Sequence, residues 1–285
     1  MIKVVVLGAN GGLGQQVCKL LGREKNVELI SVIRDLTQQS ENKVFWDYLS
    51  RLPKAAACAN VVVNCARSSC YEYNIRFNKL IVNSLSEHTV LLNISSNCIF
   101  AEPRGTLSKL LFKGDAYIRE KAEIEAITNE HNNTFQIRPT IVLGESGWDE
   151  FLARVKKSKK VFVPKVSSGA KVKVIYANEV AEFVCSLIKS GFKSTVEEEL
   201  YTSILPLEVL LNSTVEYSAT TNNYFNSLLN NLFMFFLVSR FIPNWVVYKV
   251  QSKIISSNIS KVNTTVDNLD IQGMTRLYLS GAHTK

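Results

Sequence analysis

The sequence predicts an α/β protein, a doubly wound parallel sheet joined to a smaller, mostly helical C-terminal region, and three observations carry that expectation. Short apolar runs alternate with helix-period segments over the first two hundred residues. The runs are nearly continuous in Val, Ile and Leu, with little polar alternation. A glycine cluster, Gly8-Ala9-Asn10-Gly11-Gly12-Leu13-Gly14, sits at the first strand-to-helix junction. Continuous apolar strands separated by helices mark a parallel sheet covered on both faces. Right-handed crossovers then leave a doubly wound sheet as the natural product.

In order, Ile2 to Leu7 reads as the first buried strand and Gly14 to Leu21 as the helix after it. Val27 to Ile33 is a second strand, Val44-Phe45-Trp46 a short third, and residues 61–65 the next, followed by a helix from Asn74 to Ser86. Thr89 to Ile94 is a strand, Ala116 to Asn129 a helix, and Thr134 to Val142 a further single strand. Val172 to Tyr176 and the amphipathic segment Asn178 to Lys189 are expected to return to the main sheet as strand and helix. The expected division is residues 1–144 plus 171–193 as a dinucleotide-binding domain and 145–170 plus 194–285 as a substrate-binding region. That second region holds the basic run Lys156-Lys157-Ser158-Lys159-Lys160, a short strand Val161-Phe162-Val163 and an apolar block, Leu228 to Val250.

Composition bounds the function classes. Apolar residues make up 46% and charged residues 20% of the 285-residue chain, which is ordinary for a folded domain and too apolar for disorder. The net charge of +8 suits a phosphate-bearing cofactor, an anionic sugar nucleotide or an acidic membrane surface. Nucleic acid is not expected, because no aromatic-plus-basic strand motif and no Cys/His finger spacing is present. The cysteines Cys18, Cys58, Cys65, Cys70, Cys98 and Cys185 form no C-x-x-C pair and read as reduced core thiols of a cytoplasmic protein. His88, His131 and His283 are well separated, so no metal site is expected. The first apolar run passes directly into glycines, which suits a strand and not a signal peptide.

The glycine cluster has the context that dinucleotide binding requires, a strand before it and a helix after it. Gly8 permits the tight turn, Gly11 lets backbone N–H groups approach a pyrophosphate, and Gly14 lets helix and strand pack closely. The backbone of Asn10, Gly12 and Leu13 completes the loop, and the helix N-terminus offers unpaired donors to phosphate. The second strand ends in Arg34, which favours the 2′-phosphate of NADP; Asp35 follows and keeps NAD as the alternative.

Tyr117 and Lys121 stand four apart in an expected helix and share one face. A phenol of pKa about 10 is a poor acid or base near neutrality. A neighbouring ammonium stabilises its phenolate and brings that pKa toward the working range.

Gly8/Gly11/Gly14, Ser96 and Tyr117-x-x-x-Lys121, in this order and at these distances, resemble the extended short-chain dehydrogenase/reductases. The resemblance is to the NAD-dependent epimerase/dehydratase group and the dTDP-4-dehydrorhamnose reductase-like sugar-nucleotide ketoreductases. Ile94-Ser95-Ser96-Asn97-Cys98-Ile99-Phe100 is similar to that family's I-S-[ST]-x-x-[VI]-[FY] segment, and Ile137-Arg138-Pro139-Thr140-Ile141-Val142-Leu143-Gly144 to its R-P-x-x-[VI]-[YL]-G stretch. Asp47 matches the residue that borders adenine, Asn64-Cys65-Ala66 the N-x-A turn beside the nicotinamide ribose, and Asn74 the helix asparagine. The resemblance implies a Rossmann domain and a hydride transfer in which Tyr117 donates a proton to the substrate carbonyl. It further implies that Lys121 holds the nicotinamide ribose and tunes Tyr117, and that Ser96 hydrogen-bonds the carbonyl. Asn97-Cys98 departs from the aspartate and tyrosine usual in the rhamnose-reductase-like branch.

The expected activity is therefore NAD(P)-dependent reduction of a nucleotide-linked keto sugar, at its 4-keto group, in surface-polysaccharide synthesis, with NADP preferred over NAD. The alternatives are a C4 epimerase or dehydratase that retains NAD, and a non-catalytic dinucleotide-sensing subunit. Lys156 to Lys160 reads as a solvated face, with a sugar-nucleotide diphosphate or anionic headgroups as the functional alternative. Leu228 to Val250 reads as core or substrate lid. Arg240, Pro243 and Asn244 argue against a spanning helix, and two interfacial helices on the inner face of the membrane remain the alternative. A homodimer is left open.

Overall fold

The computed structural model describes residues 1–35, 40, 42–100, 116–144, 171–192 and 200–206. Lys156 to Lys160, Val161 to Val163 and Leu228 to Val250 lie outside the described residues. The chain divides into two compact units. One comprises Met1–Ile99, Arg119–Thr140 and Ile175–Leu200, the other Phe100–Ile118, Ile141–Val174 and Tyr201–Lys285.

The first unit is built on a six-stranded parallel sheet. Its strands are β1 (Ile2–Leu7), β2 (Val27–Ile33), β3 (Lys43–Phe45), β4 (Val61–Asn64), β5 (Val90–Ile94) and β6 (Thr134–Ile137), in the spatial order β3-β2-β1-β4-β5-β6. The order reverses between β1 and β4, which is the switch point where doubly wound sheets open a crevice at their carboxyl edge. Val4, Val5, Val6, Leu7, Val62, Val63, Leu91 and Leu92 are completely buried. Burial of each such side chain contributes roughly 1.5–3 kcal/mol before the entropy of ordering is subtracted.

Helix α1 (Gly12–Leu21) follows β1, and a short α2 (Lys54–Ala57) precedes β4. Helix α3 (Tyr71–Ser84) follows β4 and starts three residues before the expected Asn74, its first turn running over Tyr71-Glu72-Tyr73. Helix α4 (Ala116–Thr128) precedes β6. Helix α5 (Ala177–Lys189) buries Val180, Ala181, Val184, Leu187 and Ile188 and packs against α1, whose Val17 and Leu21 are buried. A Lys189 Nζ–Glu24 Oε1 pair at 2.8 Å ties the end of α5 to the turn after α1.

Two expectations are corrected. Residues 134–142 are not one strand. Pro139, which has no N–H to donate, ends β6, and β7 (Ile141–Leu143) belongs to a separate three-stranded sheet of order β7-β8-β9. The backbone around Pro139 pairs with Leu200 instead: Leu200 N donates to Arg138 O at 3.0 Å and Thr140 N to Leu200 O at 3.1 Å. Nor does the strand before α5 join the main sheet. As β8 (Lys171–Tyr176) it pairs antiparallel with β9 (Ser203–Pro206), an unexpected strand, in the register Val172↔Leu205 and Val174↔Ser203. Its Lys-Val-Lys-Val alternation is the period-two pattern of an antiparallel sheet, not the continuous apolar pattern of β1 and β4.

The cysteines also depart in part from expectation. None of the six is in a disulfide, but Cys58 and Cys70 are exposed, and of the six only Cys98 and Cys185 are buried residues. Among the described residues no helix is long and apolar enough to cross a membrane.

Candidate active site

The glycine loop is shaped by steric demands that differ from residue to residue. Gly8 has φ +74°, and a Cβ there would lie 2.7 Å from the Cα of Ala66. Gly14 is tighter still, since a Cβ would stand 2.2 Å from the Gly8 carbonyl oxygen. Gly11 has an ordinary extended backbone, donates its N–H to Gly8 O at 2.9 Å, and would bring a Cβ only to 3.3 Å from that oxygen. The loop is therefore pressed against the Cys65-Ala66 turn on one side and against α1 on the other.

Helix α1 begins at Gly12 with no side-chain cap and no acidic residue in its first turn. Its first N–H groups, on Gly12, Leu13 and Gly14, have no acceptor four residues back within the helix. Asn10 and Gly11 are exposed, and Gln15 Nε2 holds Asn10 O at 3.0 Å. A positively polarised helix end with no side-chain cap, behind a glycine-rich loop, fits a pyrophosphate.

Arg34 is exposed at the end of β2, with its guanidinium carbon 5.5 Å from the centroid of the Tyr48 ring. Asp47 Oδ1 accepts hydrogen bonds from Leu49 N at 2.9 Å, Ser50 N at 2.8 Å and Ser50 Oγ at 2.7 Å. These bonds, the Ser50 backbone bond first, lower its pKa. Asp47 thus closes the turn after β3, and the Tyr73 hydroxyl donates to its carbonyl.

Asn64, at the end of β4, accepts the Ala66 N–H on Oδ1 at 3.2 Å and so shapes the Asn64-Cys65-Ala66 turn. Its Nδ2 donates to Asn78 Oδ1 at 2.9 Å and to Asn93 Oδ1 at 3.0 Å. Asn93 Nδ2 donates to Gln136 Oε1 at 2.8 Å, and Gln136 Nε2 to Thr128 Oγ1 at 2.8 Å. Asn64, Asn93 and Gln136 are directly registered neighbours on β4, β5 and β6, and each is buried. The result is a ladder of amides from α3 across three strands to α4. Asn74, fully buried on α3, clamps the loop that leads into its helix by accepting from Ser68 N at 2.7 Å and donating to Ser68 O at 2.9 Å. The Cys65 thiol is pushed up to about 12, chiefly by burial, which makes it a packing group and not a nucleophile.

The ladder supports a prediction. Asn93→Leu removes the middle rung and leaves the Gln136 carbonyl without its donor in a buried place. A loss of about 2–3 kcal/mol in unfolding free energy is expected, since an orphaned buried acceptor costs its desolvation. Chemical denaturation of the variant measures it, and a change under 0.5 kcal/mol would contradict the ladder.

Ser96 follows β5 and is 8% exposed. Ser95 N donates to Ile137 O at 2.8 Å and Asn97 N to Pro139 O at 3.2 Å, so β5 and β6 hold the segment on both sides of Ser96. A short 3-10 turn, Asn97–Phe100, then carries the chain away. Ser95 Oγ and Thr140 Oγ1, beside this edge, are buried without a hydrogen-bond partner among the described residues.

Lys121 is 8% exposed, and its Nζ donates to the carbonyl of Ile94, the last residue of β5, at 3.0 Å. Burial, then the positive charge of Arg67, lowers its pKa to about 8; Glu120, Cys98 and Glu125 oppose the shift. Helix α4 is pinned by Arg138 to Glu125, with Nε–Oε1 at 3.0 Å and Nη2–Oε2 at 2.8 Å, by Arg67 Nε to Glu120 Oε1 at 3.1 Å, and by the Tyr71 hydroxyl to Glu123. Tyr117 is half-buried one helical turn ahead of Lys121 on α4. The structure brings Lys121 to the strand end that leads into Ser96; Tyr117 is placed by its helix.

A lysine whose pKa is lower in the native state than in the unfolded chain binds fewer protons when folded. Its burial therefore opposes folding at neutral pH by ~3 kcal/mol, and that cost is relieved as pH rises from about 8 to 10.5. The dinucleotide-free protein should gain stability across this window relative to Lys121→Met in denaturant titrations. Parallel pH profiles for the two proteins would show that the ammonium is not buried.

The sequence model of the NAD dependent epimerase/dehydratase family matches residues 4–194, from β1 through α5. The chain belongs to that family. Solved structures similar to this epimerase/dehydratase-family chain include a hypothetical dTDP-4-dehydrorhamnose reductase from Sulfolobus tokodaii. It is 17% identical, with a TM-score of 0.53 over 72% of this chain and 78% of that one. The Bordetella bronchiseptica enzyme WbmH in complex with NAD+ is 15% identical, with a TM-score of 0.55 over 76% and 81%. UDP-N-acetylglucosamine 4-epimerase from Bacillus cereus is 17% identical, with a TM-score of 0.55 over 75% and 80%. At these identities the likeness establishes a shared Rossmann fold. No curated protein matches the family member in sequence. Among its described residues no group of three or more His, Cys, Asp or Glu side chains could hold a metal ion.

Sequence reasoning did not single out Tyr48, Asn78, Asn93 or Gln136. A signal was available for Asn93 and Gln136, because an amide inside an otherwise apolar buried strand must find a partner there.

Proposed function

We propose that the chain is an NAD(P)-dependent enzyme that reduces the keto group of a nucleotide-linked sugar, a 4-keto sugar, with NADP preferred over NAD. The observation that carries the reading is the Lys121 ammonium, buried against the carbonyl of Ile94 two residues before Ser96 and one helical turn after Tyr117. The bound dinucleotide supplies a hydride at its nicotinamide ring.

The chain's own residues have separable tasks. The loop from Gly8 to Gly14, with Asn10, Gly11, Gly12 and Leu13, receives the pyrophosphate on backbone N–H groups. Arg34 reads the 2′-phosphate, Asp47 borders the adenine side, and Asn64-Cys65-Ala66 lies along the ribose. Lys121 holds a ribose hydroxyl and favours the phenolate of Tyr117 through its charge. Tyr117 delivers the proton that the carbonyl oxygen needs as the substrate is reduced, and Ser96 hydrogen-bonds that oxygen. A lysine with a pKa near 8 remains largely cationic at neutral pH, as this division of labour requires.

The dTDP-4-dehydrorhamnose reductase and UDP-N-acetylglucosamine 4-epimerase likenesses support nucleotide-linked sugars as the substrate class. Surface-polysaccharide synthesis is the setting such substrates suggest. The test is oxidation of NADPH or NADH by purified protein with a panel of nucleotide-linked 4-keto sugars. Net loss of reduced-nicotinamide absorbance supports the ketoreductase. Co-purified NAD with interconversion of two sugar epimers and no net absorbance change would replace it with the epimerase. Neither result, across the panel, ends the catalytic reading.

A further inference from the structure

Tyr48 carries more structure than a core-filling residue requires. It follows Asp47 in the turn after β3, with φ +63°, a backbone conformation that a bulky residue seldom adopts. It is 1% exposed, with its ring edge-on to Trp46 at 4.6 Å and tilted on Phe77 at 5.1 Å. A phenylalanine would satisfy that apolar nest as well, and a tyrosine adds a hydroxyl that needs a partner. The Gly8 backbone is the polar group that faces this hydroxyl, and burial nevertheless pushes the phenol up to about 12, so it stays neutral. The ring also lies under the Arg34 guanidinium, at 5.5 Å.

These contacts join two places that dinucleotide recognition depends on. Gly8 follows β1 and Arg34 follows β2, and the two strands are registered neighbours through Leu7↔Val32. A guanidinium held over a desolvated aromatic face keeps its N–H donors at its edges, where a phosphate can meet them. Arg34 is itself exposed to solvent. An arginine on a surface loop without such support would sample many rotamers, and binding an anion would cost that freedom.

We propose that Tyr48 is a positioning residue that sets the preference for the 2′-phosphorylated dinucleotide, holding Arg34 at the end of β2 with its ring and the start of the glycine loop with its hydroxyl. This rests on the dinucleotide-binding reading above and assigns to one side chain the selectivity within it. The ring and the hydroxyl act on different quantities. Loss of the ring releases Arg34 and affects NADPH alone. Loss of the hydroxyl loosens Gly8 and weakens both dinucleotides alike.

Equilibrium binding of NADPH and NADH to the full chain, read from nicotinamide fluorescence without substrate, separates the two. Wild type should favour NADPH. Tyr48→Leu should lower the NADPH/NADH affinity ratio at least fivefold, and should leave the ratio unchanged in an Arg34→Ala background. Tyr48→Phe should weaken both ligands by a common factor and keep the ratio. Arg34→Lys leaves the aromatic nest intact and keeps the charge while losing the stacked plane; it should also cost at least fivefold in the ratio, which keeps the test open if Tyr48→Leu does not fold. Wild type that binds neither dinucleotide overturns the dinucleotide reading itself. Wild type that binds both without preference, or a ratio preserved within twofold in Tyr48→Leu or Arg34→Lys, overturns only the role assigned to Tyr48.

Discussion

Tyr117→Phe should lower kcat on a nucleotide-linked keto sugar by about 10³-fold while leaving NADPH affinity within a factor of two. The phenyl ring keeps the shape of the side chain and removes only the proton that the reduced carbonyl oxygen must receive. Helix α4 keeps its anchors at Glu120, Glu123 and Glu125. Lys121→Met should behave differently. On the proposed roles it removes both a ribose contact and the charge that favours the phenolate, so kcat should fall and KM for the dinucleotide should rise together. Ser96→Ala should lose roughly 10²-fold in kcat, the scale of one hydrogen-bond donor at a carbonyl oxygen. Steady-state kinetics on the three variants distinguish these patterns. A Tyr117→Phe enzyme that keeps a third of wild-type kcat would end the proton-donor assignment.

Gly14→Ala should be the most damaging single-atom addition in the first unit. The new methyl would lie 2.2 Å from the Gly8 carbonyl oxygen and 3.0 Å from the Ala9 Cα, both backbone atoms with little room to yield. Either α1 moves away from β1 or the loop opens, and both change the cradle and the packing of Val17 and Leu21. A loss of about 3 kcal/mol is expected, the upper end for overpacking, with a fall in melting temperature on the order of 10 °C. Dinucleotide binding should weaken at least tenfold. Gly11→Ala is the internal comparison. With an ordinary φ of −72° and a 3.3 Å approach, it should cost under about 1 kcal/mol in stability. Equal damage from the two substitutions would contradict the steric account.

Much of the main sheet was legible in the chain because its strands are near-continuous runs of Val, Ile and Leu, a pattern with few other folded solutions. The glycine loop was legible for a related reason, since its backbone demands can be met at Gly8 and Gly14 by one residue type only. The break between β6 and β7 was harder to see. Thr134 to Val142 is apolar enough to pass for one strand, and only the missing N–H of Pro139 and the distant Leu200 divide it. β9 is four residues long and offers no periodicity to detect. The approach of Lys121 to the end of β5 came within reach through family resemblance alone, because spacing on a helix does not say what the helix packs against. Tyr48 gave no sign at all: its inward turn combines a positive φ with ring partners distant in sequence, Phe77 on α3 and Arg34 after β2.

The interior amides of β4, β5 and β6 have a consequence for how this chain avoids misassembly. Strands made of valine and leucine and covered on both faces can slide past one another by a residue or two with little change in greasy contact. Asn64, Asn93 and Gln136 remove that indifference. Any slippage strands all three at once in a buried interior, so a single alignment is left with every atom of these three amides answered, and the carboxyl ends of the strands come level as a by-product of that selection.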